Sequence, residues 1–217
     1  MENTTVYLIR HSSKFGPKYI NIYNTNDSKQ SKTEKKMLSV EGEERARILS
    51  NEKEFENIDV VFSSDYVRSM QTAKYFLVKG NLMLNIDRRF NEINKGTVDK
   101  EKYPDFFVKQ YWDKDLKMPD GESQTDVNKR MTEAFWEVVN NNKGKRIAIF
   151  SHGTAISFLL MNWCKLLDMQ ENYLRKLEYN NKVIINRVFK FPEVFKVTID
   201  ENNEILDIEN LEFDDLK

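Results

Sequence analysis

The sequence holds a single cysteine, Cys164, in 217 residues. That excludes an internal disulfide and any cysteine-based metal cluster. The apolar neighbours of Cys164 mark it as a buried small hydrophobe rather than a nucleophile. An excess of charge is also missing. Lys and Arg total 34, Asp and Glu 35, so the formal net charge is −1 although charged residues make up 32%. A typical nucleic-acid-binding domain carries a strong positive bias. No nucleic-acid partner is therefore expected, and any anion site must come from local clustering. No apolar run approaches the ~20 residues of a membrane span. The N-terminus lacks the basic start and apolar stretch of a signal peptide. The expectation is a cytoplasmic protein without a membrane partner. No repeat and no linker divides the chain, so residues 1–217 are expected to form one domain. The pattern specifies no oligomeric state.

Histidine is nearly absent too, with 2 in the chain. Both stand in matched places. His11 closes the strand-like run Val6-Tyr7-Leu8-Ile9-Arg10, and His152 closes Ile147-Ala148-Ile149-Phe150-Ser151. Histidine is the side chain that is neutral yet protonatable near pH 7. Two at the ends of two strands can meet at one sheet edge, where open α/β sheets bind ligands.

Between them, strands alternate with helices. Ser39 is placed to cap a helix running to about residue 55. Asp59–Phe62 reads as a second strand, and Ser63-Ser64-Asp65 as capping chemistry. The helix that follows puts Tyr66, Met70, Ala73 and Leu77 on one face. Leu82–Ile86 reads as a third strand, and 102–114 as a helix ending at a Pro119-Asp120-Gly121 turn. Ser123 with Asp126 makes a weaker capping box, before a stripe of Val127, Met131, Ala134, Phe135 and Val138. After strand 147–150, a helix from Thr154 to about Leu167 is apolar almost all round. Val183–Val188, Val194–Ile199 and Glu204–Ile208 read as strands, with a turn at Asn202-Asn203. This order predicts a three-layer α/β/α sandwich with a mostly parallel central sheet and antiparallel C-terminal additions. Residues 12–37 stand apart. They carry Lys14, Lys18, Lys29, Lys32, Lys35 and Lys36 and few apolar positions, so they read as either a solvated excursion or a basic lid near the site.

Four segments, each after an expected strand, can then converge on one sheet edge: Leu8-Ile9-Arg10-His11, Ser63-Ser64-Asp65-Tyr66-Val67-Arg68-Ser69-Met70-Gln71-Thr72-Ala73, Arg89-Phe90-Asn91-Glu92-Ile93-Asn94-Lys95-Gly96, and Ser151-His152-Gly153. The set resembles the histidine phosphatase superfamily, the phosphoglycerate-mutase-like proteins, in its branch of small phosphatases. Leu38-Ser39-Val40-Glu41-Gly42 and Gly121-Glu122-Ser123 resemble further signatures of that family. The similarity runs in order through most of residues 5–167. One departure stands next to the first histidine: the family usually has Gly there, followed by Glu or Gln and Thr, where this chain has Ser12 and Ser13. Serine removes the close backbone approach that Gly allows but can donate a hydrogen bond to phosphate. The family's Asn in the following loop has no clear counterpart; Asn21 and Asn24 are the candidates.

The resemblance implies a histidine acid phosphatase-like phosphomonoesterase working through a phosphohistidine at His11, on a phosphorylated small molecule. Physical chemistry fits those roles. Cations dominate stabilisation of a phosphoryl transition state, and Arg10 and Arg68 offer bidentate donors that stay charged. Nearby arginines keep His11 neutral for attack. His152 can donate to a non-bridging oxygen, with Ser12 and Gly153 as further phosphate contacts. Glu92 can protonate the leaving oxygen and then activate water. No metal and no cofactor is expected, since histidines flanked by arginines repel a cation. Two rival readings use the same residues: a phosphoglycerate-type mutase, and a non-catalytic phospholigand-binding module. Taken singly, Arg68 also reads as a surface partner of Asp65, Glu92 as an exposed loop carboxylate, and Glu122 as a helix N-terminal charge.

Overall fold

The computed structural model describes residues 2–16, 29–99 and 101–216. Lys18, Asn21 and Asn24 lie outside them. The chain runs through β1 (Thr4–Arg10), α1 (Lys29–Glu34), α2 (Val40–Asn51), β2 (Val60–Ser63), α3 (Val67–Gly80) and β3 (Leu84–Ile86). It continues with α4 (Phe106–Trp112), α5 (Gln124–Asn141), β4 (Arg146–Ser151), α6 (Gly153–Leu160) and β5 (Lys165–Met169). β6 (Leu174–Tyr179), β7 (Lys182–Val188), β8 (Glu193–Ile199) and β9 (Ile205–Leu211) complete it.

The central sheet has the order β3-β2-β4-β1-β8-β9. The first four strands are parallel, and β8 and β9 add antiparallel pairings at one edge. Alternation along the strands sends side chains to two faces. Val6, Leu8, Ile147 and Ile149 pack with Val127, Met131 and Phe135 of α5 and Ile156 and Leu159 of α6. Tyr7, Ile9, Ala148 and Phe150 pack on the other face with Leu49 of α2 and Ala73 and Phe76 of α3. This is the expected sandwich. A second sheet, β5-β6-β7, is antiparallel and joins the α5–α6 side of the core through Met169, Leu177 and Ile185.

Several local expectations hold. Ser39 caps α2 by accepting from the Gly42 N–H, and Ser123 and Asp126 form a reciprocal capping box on α5. The α5 stripe is buried throughout. Asn203 takes a positive φ of 69° in the turn before β9.

Others are corrected. α2 stops at Asn51, and residues 53–55 form a separate 3-10 turn that buries Phe55. The N-cap of α3 is Tyr66, without a side-chain cap. Its buried face runs through Ser69, Thr72, Ala73 and Phe76, because Arg68 turns inward and rotates the stripe. β3 is shorter than expected, and α4 begins only at Phe106. The apolar helix ends at Leu160, and residues 165–169 are strand β5. A run apolar on every side carries no period to mark where helix gives way to strand. β6 was missed for a related reason: its inward row is Arg175, Leu177 and Tyr179, so a buried cation breaks the alternation.

Candidate active site

Register brings the two histidines together. In the parallel β1–β4 pair Arg10 lies opposite Ser151, so His11 and His152 leave neighbouring strands at the same level. Their ring centroids are 5.2 Å apart. The 63–73 segment follows β2 and the 90–96 segment follows β3, at the same carboxyl edge. All four expected segments therefore converge.

Arg68 stands in the first turn of α3 and is 3% exposed. It is not a surface partner of Asp65, which pairs instead with Arg88. Its Nε–H donates to His11 Nε2 at 2.9 Å and its NH2 group to His152 Nδ1 at 3.1 Å. Its NH1 group donates to the Thr33 carbonyl of α1 at 2.8 Å. Arginine is only a donor, so both histidine nitrogens must be acceptors. That fixes the tautomers. His11 Nδ1–H donates to the Ser12 carbonyl at 2.8 Å, and His152 Nε2–H donates to Ser64 Oγ at 2.8 Å. Desolvation, then the charges of Arg68 and Arg10, hold His11 well below the usual histidine range. Burial and Arg68 do the same to His152. Two neutral imidazoles thus face one guanidinium.

Arg10 is oriented from the other end of the chain. Its NH1 group donates to the carbonyls of Phe189 at 2.6 Å and Lys190 at 3.2 Å, and its guanidinium lies 3.4 Å from the Phe191 ring centroid. Desolvation and the repulsion of Arg175 push Arg10 down to about 10, which still leaves it charged at neutral pH. Its Nε is buried without a partner among the described residues. Gly153 makes room for it: a Cβ there would lie 3.2 Å from Arg10 Nε. Ser12 is fully buried; its N–H donates to Thr72 Oγ1 at 3.0 Å and its Oγ has no partner among the described residues. His11 is thus flanked in sequence by two unsatisfied buried polar groups, which demand a ligand or water.

Glu92 is an acceptor for the start of α6. Its carboxylate receives the N–H of Ala155 at 3.0 Å, of Thr154 at 3.3 Å and of Ile93 at 3.0 Å. The segment carrying it is braced by Arg130, which donates to the carbonyls of Arg89 at 2.7 Å and Asn91 at 2.8 Å. Arg130 is itself held by Glu122 at 2.8 Å. Glu122 also accepts the Asn94 N–H at 2.8 Å, so it serves this loop rather than the α5 terminus. Gly96 has φ +62°, and a Cβ there would meet Asp120 Oδ1 at 2.6 Å. The Glu92–Gly96 spacing and the Gly121-Glu122 signature are two sides of one contact. Gly42 has a similar origin, since a Cβ there would sit 1.9 Å from the Ser13 carbonyl.

Sequence reading missed Arg130, the Thr33 carbonyl and the 189–191 segment. Backbone acceptors leave no mark in residue type, and Arg130 lies inside an ordinary amphipathic helix. Of the basic loop, Lys14 reaches the site: exposed overall, it places its ammonium 5.7 Å from the Phe191 ring centroid. Desolvation, Arg68 and Arg10 push Lys14 down to about 8. The loop also contains α1 and is tied at its ends by a Lys14–Leu38 bridge. Cys164 is buried and its thiol is pushed up to about 12 by that burial. Among the described residues no group of three or more His, Cys, Asp or Glu is arranged to hold a metal. None of their helices is long and apolar enough to cross a membrane.

Residues 6–190 match the histidine phosphatase superfamily (branch 1). The chain belongs to that superfamily. Among curated relatives it is 24% identical over 184 residues to the "Probable phosphoglycerate mutase GpmB" of Yersinia enterocolitica, covering 81% of this chain and 80% of that one. Solved superfamily structures share its fold. A mycobacterial glucosyl-3-phosphoglycerate phosphatase aligns with TM-score 0.68 at 16% identity, over 96% of this chain and 98% of the other. YhfR of Bacillus stearothermophilus aligns with TM-score 0.66 at 18% identity, over 93% and 94%. The alpha-ribazole phosphatase of Shigella flexneri aligns with TM-score 0.63 at 17% identity, over 95% and 96%.

Proposed function

We propose that this superfamily member is a metal-independent phosphomonoester hydrolase that forms a phosphohistidine at His11. One observation carries the reading. The Nδ1–H of His11 is committed to a carbonyl, and the Nε2 lone pair meets a phosphate-binding type of side chain, Arg68, which is shared with His152. A phosphate entering there takes the Arg68 donors, the free Arg10 Nε–H and the Ser12 hydroxyl, which frees Nε2 to attack. Residues 1–217 act as one catalytic domain, since the 189–191 segment orients Arg10 of β1.

In the first step, with Glu92 entering as the carboxylic acid, His11 Nε2 bonds to phosphorus, the ester P–O bond breaks, and its electrons pass to the leaving oxygen with the Glu92 proton, which the second step restores. In the second, Glu92 takes a proton from water, the hydroxide bonds to phosphorus, and the P–N bond breaks. Inorganic phosphate and free His11 result. Neutral His152 keeps its proton on Nε2 toward Ser64, so donation to a phosphate oxygen requires the substrate's own proton on Nδ1. Preorganised donors of this kind supply a large share of phosphoryl-transfer catalysis.

The mutase reading rests on the name of the Yersinia relative. It requires returning the phosphoryl group to an acceptor before water attacks. Both are tested by incubating the protein with an aryl phosphate and with phosphoglycerate, in excess EDTA. The hydrolase releases inorganic phosphate from the aryl ester with chelator present. Transfer between phosphoglycerate positions without release would establish the mutase, and neither activity would leave a binding module.

A further inference from the structure

A cavity of about 560 Å³ opens beside Glu92. Of the five candidate catalytic residues, Glu92 alone lines it. In the proposed reaction the leaving oxygen receives its proton from Glu92, so whatever that oxygen carries extends into this space. Thr33 lines the same cavity, and its carbonyl accepts from Arg68 at 2.8 Å. The cavity thus borders the phosphoryl site and shares Glu92 and Thr33 with it. A three-carbon alcohol would leave most of it to water, whereas pockets for drug-sized ligands span about 300–1,000 Å³.

Its walls suit a ring. Phe107 of α4 and Tyr173, at the turn before β6, both line it, and the Lys95 ammonium lies 4.0 Å from the Phe107 centroid and 5.5 Å from that of Tyr173. Ile93 and Val98 add apolar surface. Tyr173 is held at φ 67°, a left-handed conformation that is costly for a bulky side chain. Arg175 stabilises it there. This side chain, 4% exposed, donates through NH1 to the Tyr173 carbonyl at 3.2 Å and through Nε to the Tyr111 hydroxyl at 2.8 Å. Tyr111 stands one helical turn after Phe107 in α4. One buried guanidinium therefore links the Tyr173 backbone to the helix that carries Phe107.

We infer that the substrate is a phosphomonoester of a bulky, ring-bearing alcohol, its ring seated against Phe107 and Tyr173 beside the Lys95 ammonium that lies over both. The inference rests on the proposed hydrolase reading for the direction in which the alcohol leaves. Phe107 and Tyr173 are the specificity-determining residues and Arg175 a positioning residue. Stacking of a ring on one aromatic side chain is worth about 1–3 kcal/mol, roughly 5- to 140-fold in affinity.

Binding separates this inference from the chemistry. The His11→Ala protein is titrated calorimetrically with AMP, with a glucose phosphate and with glycerol phosphate, alongside Phe107→Ala and Tyr173→Asn in the same background. Asn tolerates the left-handed backbone, so its fold is preserved. Either ring-bearing ester, or both, should bind about tenfold tighter than glycerol phosphate, and both wall substitutions should abolish that advantage while leaving glycerol phosphate within about twofold. If only AMP gains, the ring is a planar base; if only the glucose phosphate gains, it is a sugar. Equal affinity for all three, or equal losses on all three, would overturn the inference. Ring-selective binding by a wild-type protein that releases no phosphate would instead remove the hydrolase reading and keep the cavity assignment.

Discussion

His11 and His152 follow β1 and β4, two strands paired residue for residue, with Arg10 opposite Ser151. Phe107 and Tyr173 come from α4 and from the turn before β6, elements joined through a single buried arginine. The first region is placed by hydrogen-bond register and has little freedom. The second is placed by side chains and can change without disturbing the sheet. That contrast teaches that register fixes one region of the molecule while side chains alone place the other. In the proposed reaction the reacting groups sit where the fold is most constrained, and the groups proposed to face the alcohol sit on added elements.

The sharpest way to break the comparison is at the constrained region. His11→Ala should take phosphate release to the detection floor with an unchanged circular dichroism spectrum, because the imidazole follows a strand end and stands outside both apolar clusters of the core. Wild-type turnover in that protein would remove His11 as nucleophile.

Glu92→Gln should follow in size. Gln keeps the shape but cannot carry the proton, so first-turnover rates should fall about 10²–10⁴-fold on an alkyl ester. An activated aryl ester, whose phenolate leaves unaided, should lose far less. Equal losses in stopped-flow assays of the two esters would take Glu92 out of the proton-donor role.

Gly153→Ala probes packing within the floor. Its Cβ would press on Arg10 at 3.2 Å. Arg10 has little room to yield, being fixed by two carbonyls and the Phe191 ring. A loss of about tenfold in kcat/KM is expected, below the ~10²-fold that a 1 Å misplacement can cost. Unchanged kinetics would mean that the guanidinium is not held in register.

The smallest effect belongs to the mouth. Lys14 is pushed down to about 8. It is a cation below that value and neutral above it, so attraction for a phosphate dianion is present at lower pH and is lost as pH rises through about 8. Apparent KM should climb a few-fold across that range with kcat nearly flat, the pattern of uniform binding. Lys14→Met should show the higher KM at every pH. A pH-independent KM in the wild type would assign Lys14 to solvent alone.

The same contrast explains what the sequence disclosed. Arg10-His11, the Arg68 segment and Ser151-His152-Gly153 are contiguous, so residue type and strand ending sufficed to place them. The glycines of the motifs were legible as positions, while their reasons were not. Gly42 admits the Ser13 carbonyl, Gly96 meets Asp120 and Gly153 yields to Arg10, each a contact between distant segments. β6 stayed hidden because Arg175 occupies an inward position that periodicity assigns to an apolar residue. Arg130 stayed hidden because its partners are mostly carbonyls, which every residue owns. Sequence pattern reports chemistry held by neighbours in the chain. Walls assembled by single side chains from separate elements become visible only in three dimensions.

Trapping the intermediate tests the central claim most directly. Glu92→Gln protein is mixed with an activated aryl phosphate, quenched within one turnover, digested and mapped by mass spectrometry under alkaline conditions that preserve phosphoramidates. The account predicts a stoichiometric phosphoryl group on the peptide bearing His11, absent from His11→Ala. Phosphate released in that turnover with no phosphorylated protein, or a phosphoryl group on Ser12, Ser64 or His152, would contradict it.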